Sequence, residues 1–214
     1  MILLSTAYFP NIEYCSKLIS NPTVFIEQHE HFIKQTYRNR TVILAANGPV
    51  PLIVPVVKGR GAKVKICDLQ ISYDEDWQRN HWRTLFSAYN SSPFFEFYAD
   101  DFEPFFQKRY KFLLDLNMDI LKVLTGLLEI EPEICLTEGF EQVPEGCLNF
   151  REKIHPKRTG SSENNDFSCV EYTQVFSDKT GFVPNLSILD LLFNTGNQAY
   201  SIMKDGKMMR RDFE

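Results

Sequence analysis

Short apolar runs at one end of the chain give way to helical spacing further on. Ile2 to Ser5 reads as a short buried strand, and Tyr8-Phe9-Pro10-Asn11 breaks it with an aromatic turn in which Asn11 can cap a helix over Ile12 to Ile19. Val24 to Glu27 predicts a second strand. Strand, helix and strand in about thirty residues is the size of a βαβ unit with parallel strands. Ligands usually sit at the carboxyl ends of such strands, so Tyr8-Phe9-Pro10 and the region after Glu27 share one rim.

From Gln35 an extended reading alternates, with Gln35, Tyr37 and Asn39 on one face and Thr36, Arg38 and Arg40 on the other. Thr41 to Ala45 and Pro51 to Val57 predict a hairpin turning at Asn47-Gly48-Pro49, and Pro51 and Pro55 confine its second strand to an edge or a bulge. Val64 to Leu69 alternates weakly and would extend the sheet. Asp74 or Asp76 would cap a helix from Trp77, in which Trp82, Leu85, Phe86 and Tyr89 fall at core spacing while Trp77 and His81 lie on a neighbouring face. Asn90 to Pro93 ends it. Asp100, Asp101 and Glu103 read as helix caps between two aromatic patches. Asn117 would cap a helix packed through Ile120, Val123, Leu124, Leu127 and Leu128.

Ile134 to Thr137 reads as another strand, residues 144–166 as a long surface loop, and Tyr172 to Phe176 as extended chain. Ser187 and Asp190 have capping-box spacing ahead of the run Ile188 to Leu192, flanked by Asn185 and Asn194. Residues 204–214 lose apolar periodicity and read as a frayed tail. The expectation is an α/β fold in one domain over 1–214: a mixed sheet with an N-terminal βαβ unit and a hairpin, packed by several helices.

Composition narrows the function more than the fold. The net charge of -5 over 214 residues excludes a general nucleic-acid binder, since Lys58, Arg60, Lys63 and Lys65 form only a local basic cluster in what reads as a hairpin loop. Five cysteines, an odd number without C-x-x-C spacing, point to neither a zinc ribbon nor a disulfide framework and favour a reducing cytoplasm. Met1 to Ser5 lacks the features of a signal peptide, and no apolar run is long enough to span a membrane. The pair His29 and His31 beside Glu27 and Glu30 lacks a third spaced ligand, so a solvated loop is preferred to a metal site. No cofactor is expected.

The densest candidate chemistry is Lys34 to Arg40. Arg38 and Arg40 can hold phosphate or carboxylate bidentately. Gln35, Asn39 and Asn47 can bind hydroxyls, and Tyr8, Tyr37 and Trp82 can stack on a ligand. His81 is the neutral-pH base candidate, and Asn185 and Asn194 can face a cavity.

Thr6-Ala7-Tyr8-Phe9-Pro10 with Tyr14, Gln35 to Arg40 leading to Asn47-Gly48-Pro49 and Val54-Pro55-Val56, and Trp77 with His81-Trp82 together resemble the WbqC-like proteins of bacteria. Ser87-Ala88-Tyr89 through Pro93-Phe94-Phe95, Gln174-Val175-Phe176 and Asn185 to Asn194 extend the likeness over nearly the whole chain, which looks like the branch common in Bacteroidetes-type bacteria. Many members carry His-Gln-Pro where this sequence has Leu4-Ser5-Thr6, so any role of that histidine is absent here. The resemblance implies lipopolysaccharide O-antigen or other surface-polysaccharide biosynthesis, with a sugar-modifying or transferase role on a small-molecule or nucleotide-sugar substrate. A non-catalytic glycan- or partner-binding module using the same residues is the alternative.

Overall fold

The structure is a computed structural model, and it describes residues 1–57, 63–140, 143, 146–157 and 167–205. β1 (Ile2–Ser5), α1 (Ile12–Ser20) and β2 (Thr23–Glu27) form the expected βαβ unit, with Asn11 Oδ1 accepting from the Tyr14 amide at 3.2 Å as the cap. β1 pairs with β2 in parallel, Ile2 opposite Val24 and Ser5 opposite Glu27. β5 (Glu133–Leu136) joins the outer side of β2, and β6 (Leu148–Asn149) joins the other side of β1, giving a parallel sheet in the order β5-β2-β1-β6. Ile2, Leu4, Val24 and Ile26 pack with Tyr14 and Leu18 of α1 and with Leu121 in one apolar cluster.

β3 (Arg40–Ala45) and β4 (Gly48–Ile53) make a separate antiparallel hairpin. Its two-residue loop is Ala46-Asn47, one position earlier than expected. Gly48, at φ 110°, takes the conformation that a side chain would disfavour and pairs with Ala45. The hairpin has only two strands, so the prolines of β4 lie on an edge strand, as their missing N–H groups require.

α2 (Trp77–Tyr89), α3 (Phe95–Phe102), α4 (Leu113–Leu127), the single turn α5 (Ser177–Thr180), α6 (Ile188–Thr195) and α7 (Ala199–Asp205) supply the rest of the packing. The larger core is aromatic. Phe9 stacks on Phe106 at 5.8 Å and meets Phe102 and Phe105 edge-on. Phe193 of α6 meets Phe95 and Phe102.

Several local expectations are corrected. The buried face of α2 runs through Trp77, His81, Leu85 and Ala88, while Phe86 is half exposed. Asp76 stands at the N-cap of α2 without a side-chain capping bond. Asp100 and Asp101 lie inside α3 rather than before a helix. α4 begins at Leu113, so Asn117 is a buried interior residue whose Nδ2 donates to Arg38 O at 2.8 Å and Thr6 Oγ1 at 3.1 Å. Ile66–Asp68 is a 3₁₀ turn instead of a strand, and Tyr172 to Phe176 joins no sheet. Residues 146–157, inside the expected long loop, carry β6. Residues 158–166, 206–214 and the basic pair Lys58 and Arg60 lie outside the described residues.

Ser187 caps α6, its Oγ accepting from the Leu189 amide at 3.4 Å, but Asp190 does not close a capping box. Its carboxylate is fully buried and accepts from Tyr89 and Tyr172, both at 2.7 Å, and from Gln174 at 3.1 Å. Burial raises its pKa and the three donors oppose that rise.

Candidate functional site

The carboxyl ends of β1 and β2 place Ser5 beside Glu27, and both side chains enter an ionic network. Glu27 ends the apolar strand Val24-Phe25-Ile26 and is fully buried. Its Oε1 accepts from the His29 amide at 2.8 Å and from Thr137 Oγ1 at 2.9 Å, and its Oε2 from Arg151 Nη1 at 3.0 Å. A carboxylate so far from water persists because cation and donors together replace its hydration.

Three residues further on, Glu30 takes Arg38 in a bidentate grip, Nε to Oε1 at 2.7 Å and Nη2 to Oε2 at 2.6 Å. Arg38 Nη2 also reaches Ser5 Oγ at 2.8 Å and Glu152 Oε1 at 3.1 Å. Burial disfavours the Arg38 charge, and Glu30 and Glu152 more than offset it, so its pKa is raised.

Arg151 is fixed by Glu27, by Asn149 Oδ1 accepting from its Nε at 3.2 Å, and by its own position over the Phe140 ring at 5.3 Å. Ser5 Oγ donates to the Arg151 carbonyl at 3.1 Å, tying β1 to the turn after β6.

A cavity of about 440 Å³ opens over this network, lined by Glu30, His31, Lys63, Phe140, Arg151 and Glu152, with Asn149 and the apolar Phe32 and Ile33. Its volume is that of a small-molecule site. The sheet order explains its position. The chain leaves β1 toward β2 on one side and later returns to the opposite side as β6, so β1 and β6 flank the point where strand order reverses. Open α/β sheets bind ligands at the carboxyl ends beside that point. Among the described residues no group of three or more His, Cys, Asp or Glu is arranged to hold a metal ion.

The residues singled out from sequence do not converge on one place. Residues 34–39 are turns rather than strand, and strand geometry starts at Arg40, so the stretch bends before Asn39 and its side chains diverge. Gln35, at φ 61°, is exposed. Arg38 belongs to the network under the cavity. Asn39 Nδ2 donates to Val54 O at 2.8 Å and locks the base of the hairpin.

Tyr37 is buried, its pKa pushed up to about 12 chiefly by burial, with Glu13, Asn11 and Arg40 as its polar neighbours. Asn185 joins that group from the far end of the chain, its Oδ1 accepting from the Glu13 amide at 2.9 Å. Asn47 is exposed in the hairpin turn. Trp82 stacks between Phe95 and Phe106 at 6.0 and 5.4 Å, and Asn194 Nδ2 donates back to Asp190 O at 2.7 Å.

Tyr8 and His81 are buried together, Tyr8 Oη lying 3.0 Å from His81 Nδ1. Burial raises the phenol's pKa, so it stays protonated and donates to an imidazole whose own pKa burial lowers to about 4, against a hydrogen bond to the Ile53 backbone.

A model of the WbqC-like protein family matches residues 6–157 and 157–202. The chain belongs to that family. This WbqC-like protein is also 26% identical over 220 residues to the uncharacterized protein Rv1507c of Mycobacterium tuberculosis, covering 92% of this chain and 94% of the relative. No solved structure matches it. Leu4 is fully buried in the apolar cluster of the sheet. No helix among the described residues is long and apolar enough to cross a membrane.

Sequence reasoning placed the rim after Glu27 but missed Glu27, Glu30, Asn149, Arg151 and Glu152 as a network. One signal was available: a glutamate closing an apolar parallel strand needs a buried partner, and that partner must come from another strand end.

Proposed function

We propose that this WbqC-like protein is a cytoplasmic enzyme of bacterial surface-polysaccharide biosynthesis of the O-antigen type, sugar-modifying or transferase-like, and that it takes an anionic donor such as a nucleotide-activated sugar into the cavity at the carboxyl ends of β1, β2 and β6. Family membership supports the setting. The observation that carries the site is the coincidence of a small-molecule-sized cavity, the reversal of strand order and a buried ionic network. In this reading Phe140 receives the apolar face of a sugar ring. Glu152, more than half exposed yet held by Arg38, is the carboxylate able to exchange a proton with a ligand. Arg38 supplies position rather than a direct ligand contact, because Glu30 occupies it bidentately. His81 supports Tyr8 beneath the turn and is not assigned the proton transfer.

One observation favours the alternative, a non-catalytic glycan- or partner-binding module: Glu27 and Glu30 are committed to ion pairs, leaving Glu152 as the exposed acid of the cavity lining. A thermal-shift screen of nucleotide sugars, followed by mass-spectrometric measurement of donor consumption, separates the two. A donor that raises the melting temperature is consumed by the wild type and about 100-fold more slowly by Glu152→Gln. Binding without consumption establishes the module, and no thermal shift with any donor removes the cavity as a donor site.

A further inference from the structure

Three fixed supports hold Arg151 at the edge of the cavity: the buried Glu27 carboxylate on Nη1, the Asn149 amide oxygen on Nε, and the Phe140 ring beneath the guanidinium. Nη2 has no hydrogen-bond partner among the described residues, so none of them takes up its two N–H groups, on a side chain that lines the cavity. Asn149 is in the same condition: its Oδ1 accepts from the Arg151 amide and Nε, while its Nδ2 has no partner among the described residues. Lys63 lines the same cavity and adds a second cation.

The two cations differ in kind. A guanidinium already oriented by an anion, an amide and a ring loses little rotamer freedom on meeting a ligand, whereas a lysine supplies a mobile point charge. Opposite them stands Glu152, whose partial exposure lets it accept from ligand hydroxyls but repels a second anion.

We propose that Arg151, with Asn149 and Lys63, forms an anion subsite that takes the phosphate or carboxylate of the ligand, and that Glu27 serves as its buried anchor. This deepens the reading above and rests on it only for the cavity being the substrate site. It moves recognition of the anion away from Arg38, which is buried outside the cavity lining and whose Nε and Nη2 already meet Glu30, Glu152 and Ser5.

The test is isothermal titration of the full chain with inorganic pyrophosphate in one arm and galacturonate in the other, which distinguishes a phosphate from a sugar carboxylate. The wild type binds at least one of the two. Lys63→Met, an exposed change without folding risk, and Arg151→Lys, which keeps the charge facing Glu27 but loses the fork, each weaken binding about 10-fold or more. Neither anion binding the wild type, or both variants binding as tightly as the wild type, overturns the subsite. Anion binding lost in the variants without consumption of any nucleotide sugar leaves the subsite standing and removes the enzyme reading. Consumption of a nucleotide sugar unaffected by either variant does the reverse.

Discussion

Arg38 joins three distant parts of the chain, its guanidinium donating to Ser5, to both oxygens of Glu30 and to Glu152. Removing one member of such a buried pair strands the other charge away from water, so Arg38→Met and Glu30→Gln should each lower stability by about 3–5 kcal/mol. The double variant Arg38→Met/Glu30→Gln should lose less than the two single losses added together, because it leaves no buried charge without its partner, Glu152 being exposed to water. Urea unfolding of the three variants checks this, and strict additivity would mean that the pair is uncoupled.

His81 makes a pH-dependent prediction. Its folded pKa of about 4 lies below the ordinary value of 6.5, so between those values the unfolded chain binds more protons. Stability therefore rises with pH across that window. It is fully present above about pH 6.5 and is lost as pH falls toward 4, by on the order of 3 kcal/mol. His81→Gln, which can still accept from Tyr8, should flatten this slope in urea midpoints measured from pH 4 to 7. Subtraction from the wild type cancels contributions common to both proteins.

At the scale of elements, α2 shows what one residue of helical phase means. Leu85 is fully buried while its neighbour Phe86 is half exposed, touching Phe95 edge-on at 5.7 Å. Leu85→Ala should cost about 2–5 kcal/mol, and Phe86→Ser within about 1 kcal/mol, both read from chemical denaturation. The spacing Trp82, Leu85, Phe86 and Tyr89 satisfies helical periodicity as well as Trp77, His81, Leu85 and Ala88 does. Apolar character alone points to the first face, because His81 is polar and Phe86 is not. The buried His81 meets Tyr8, a partner from a distant turn that periodicity does not encode.

Elements fixed by local chemistry were legible for the converse reason. Asn11 capping α1, and the short apolar runs of β1 and β2, depend on neighbours a few residues away. Of the candidate site, the rim after Glu27 could be located. The partners of Glu27 could not, because Arg151 stands 124 residues along the chain, in a stretch whose composition resembles a loop.

For the whole molecule, the Asp190 carboxylate binds α6 to α2 through Tyr89 and to the 172–174 segment through Tyr172 and Gln174. Tyr89 also accepts from the Leu44 amide of β3 at 3.1 Å, so the hairpin hangs on the same buried group. Asp190→Asn would point an N–H₂ group at a donor and leave at least one buried hydrogen bond unmade. Unfolding stability should drop by about 2–4 kcal/mol. The Leu44 amide should lose hydrogen-exchange protection by a matching factor, and unchanged protection there would show that the hairpin is held independently.

The central position of β1 also bears on synthesis. The Arg151 carbonyl that the Ser5 hydroxyl meets is synthesised 146 residues after it. At translation rates of about 5–20 residues per second, the strand waits on the order of ten seconds with one edge uncovered. β1 is thus completed only once β6 has been made, and a nascent chain stalled before residue 148 presents Leu3 and its neighbours as an open edge for chaperones or for other chains.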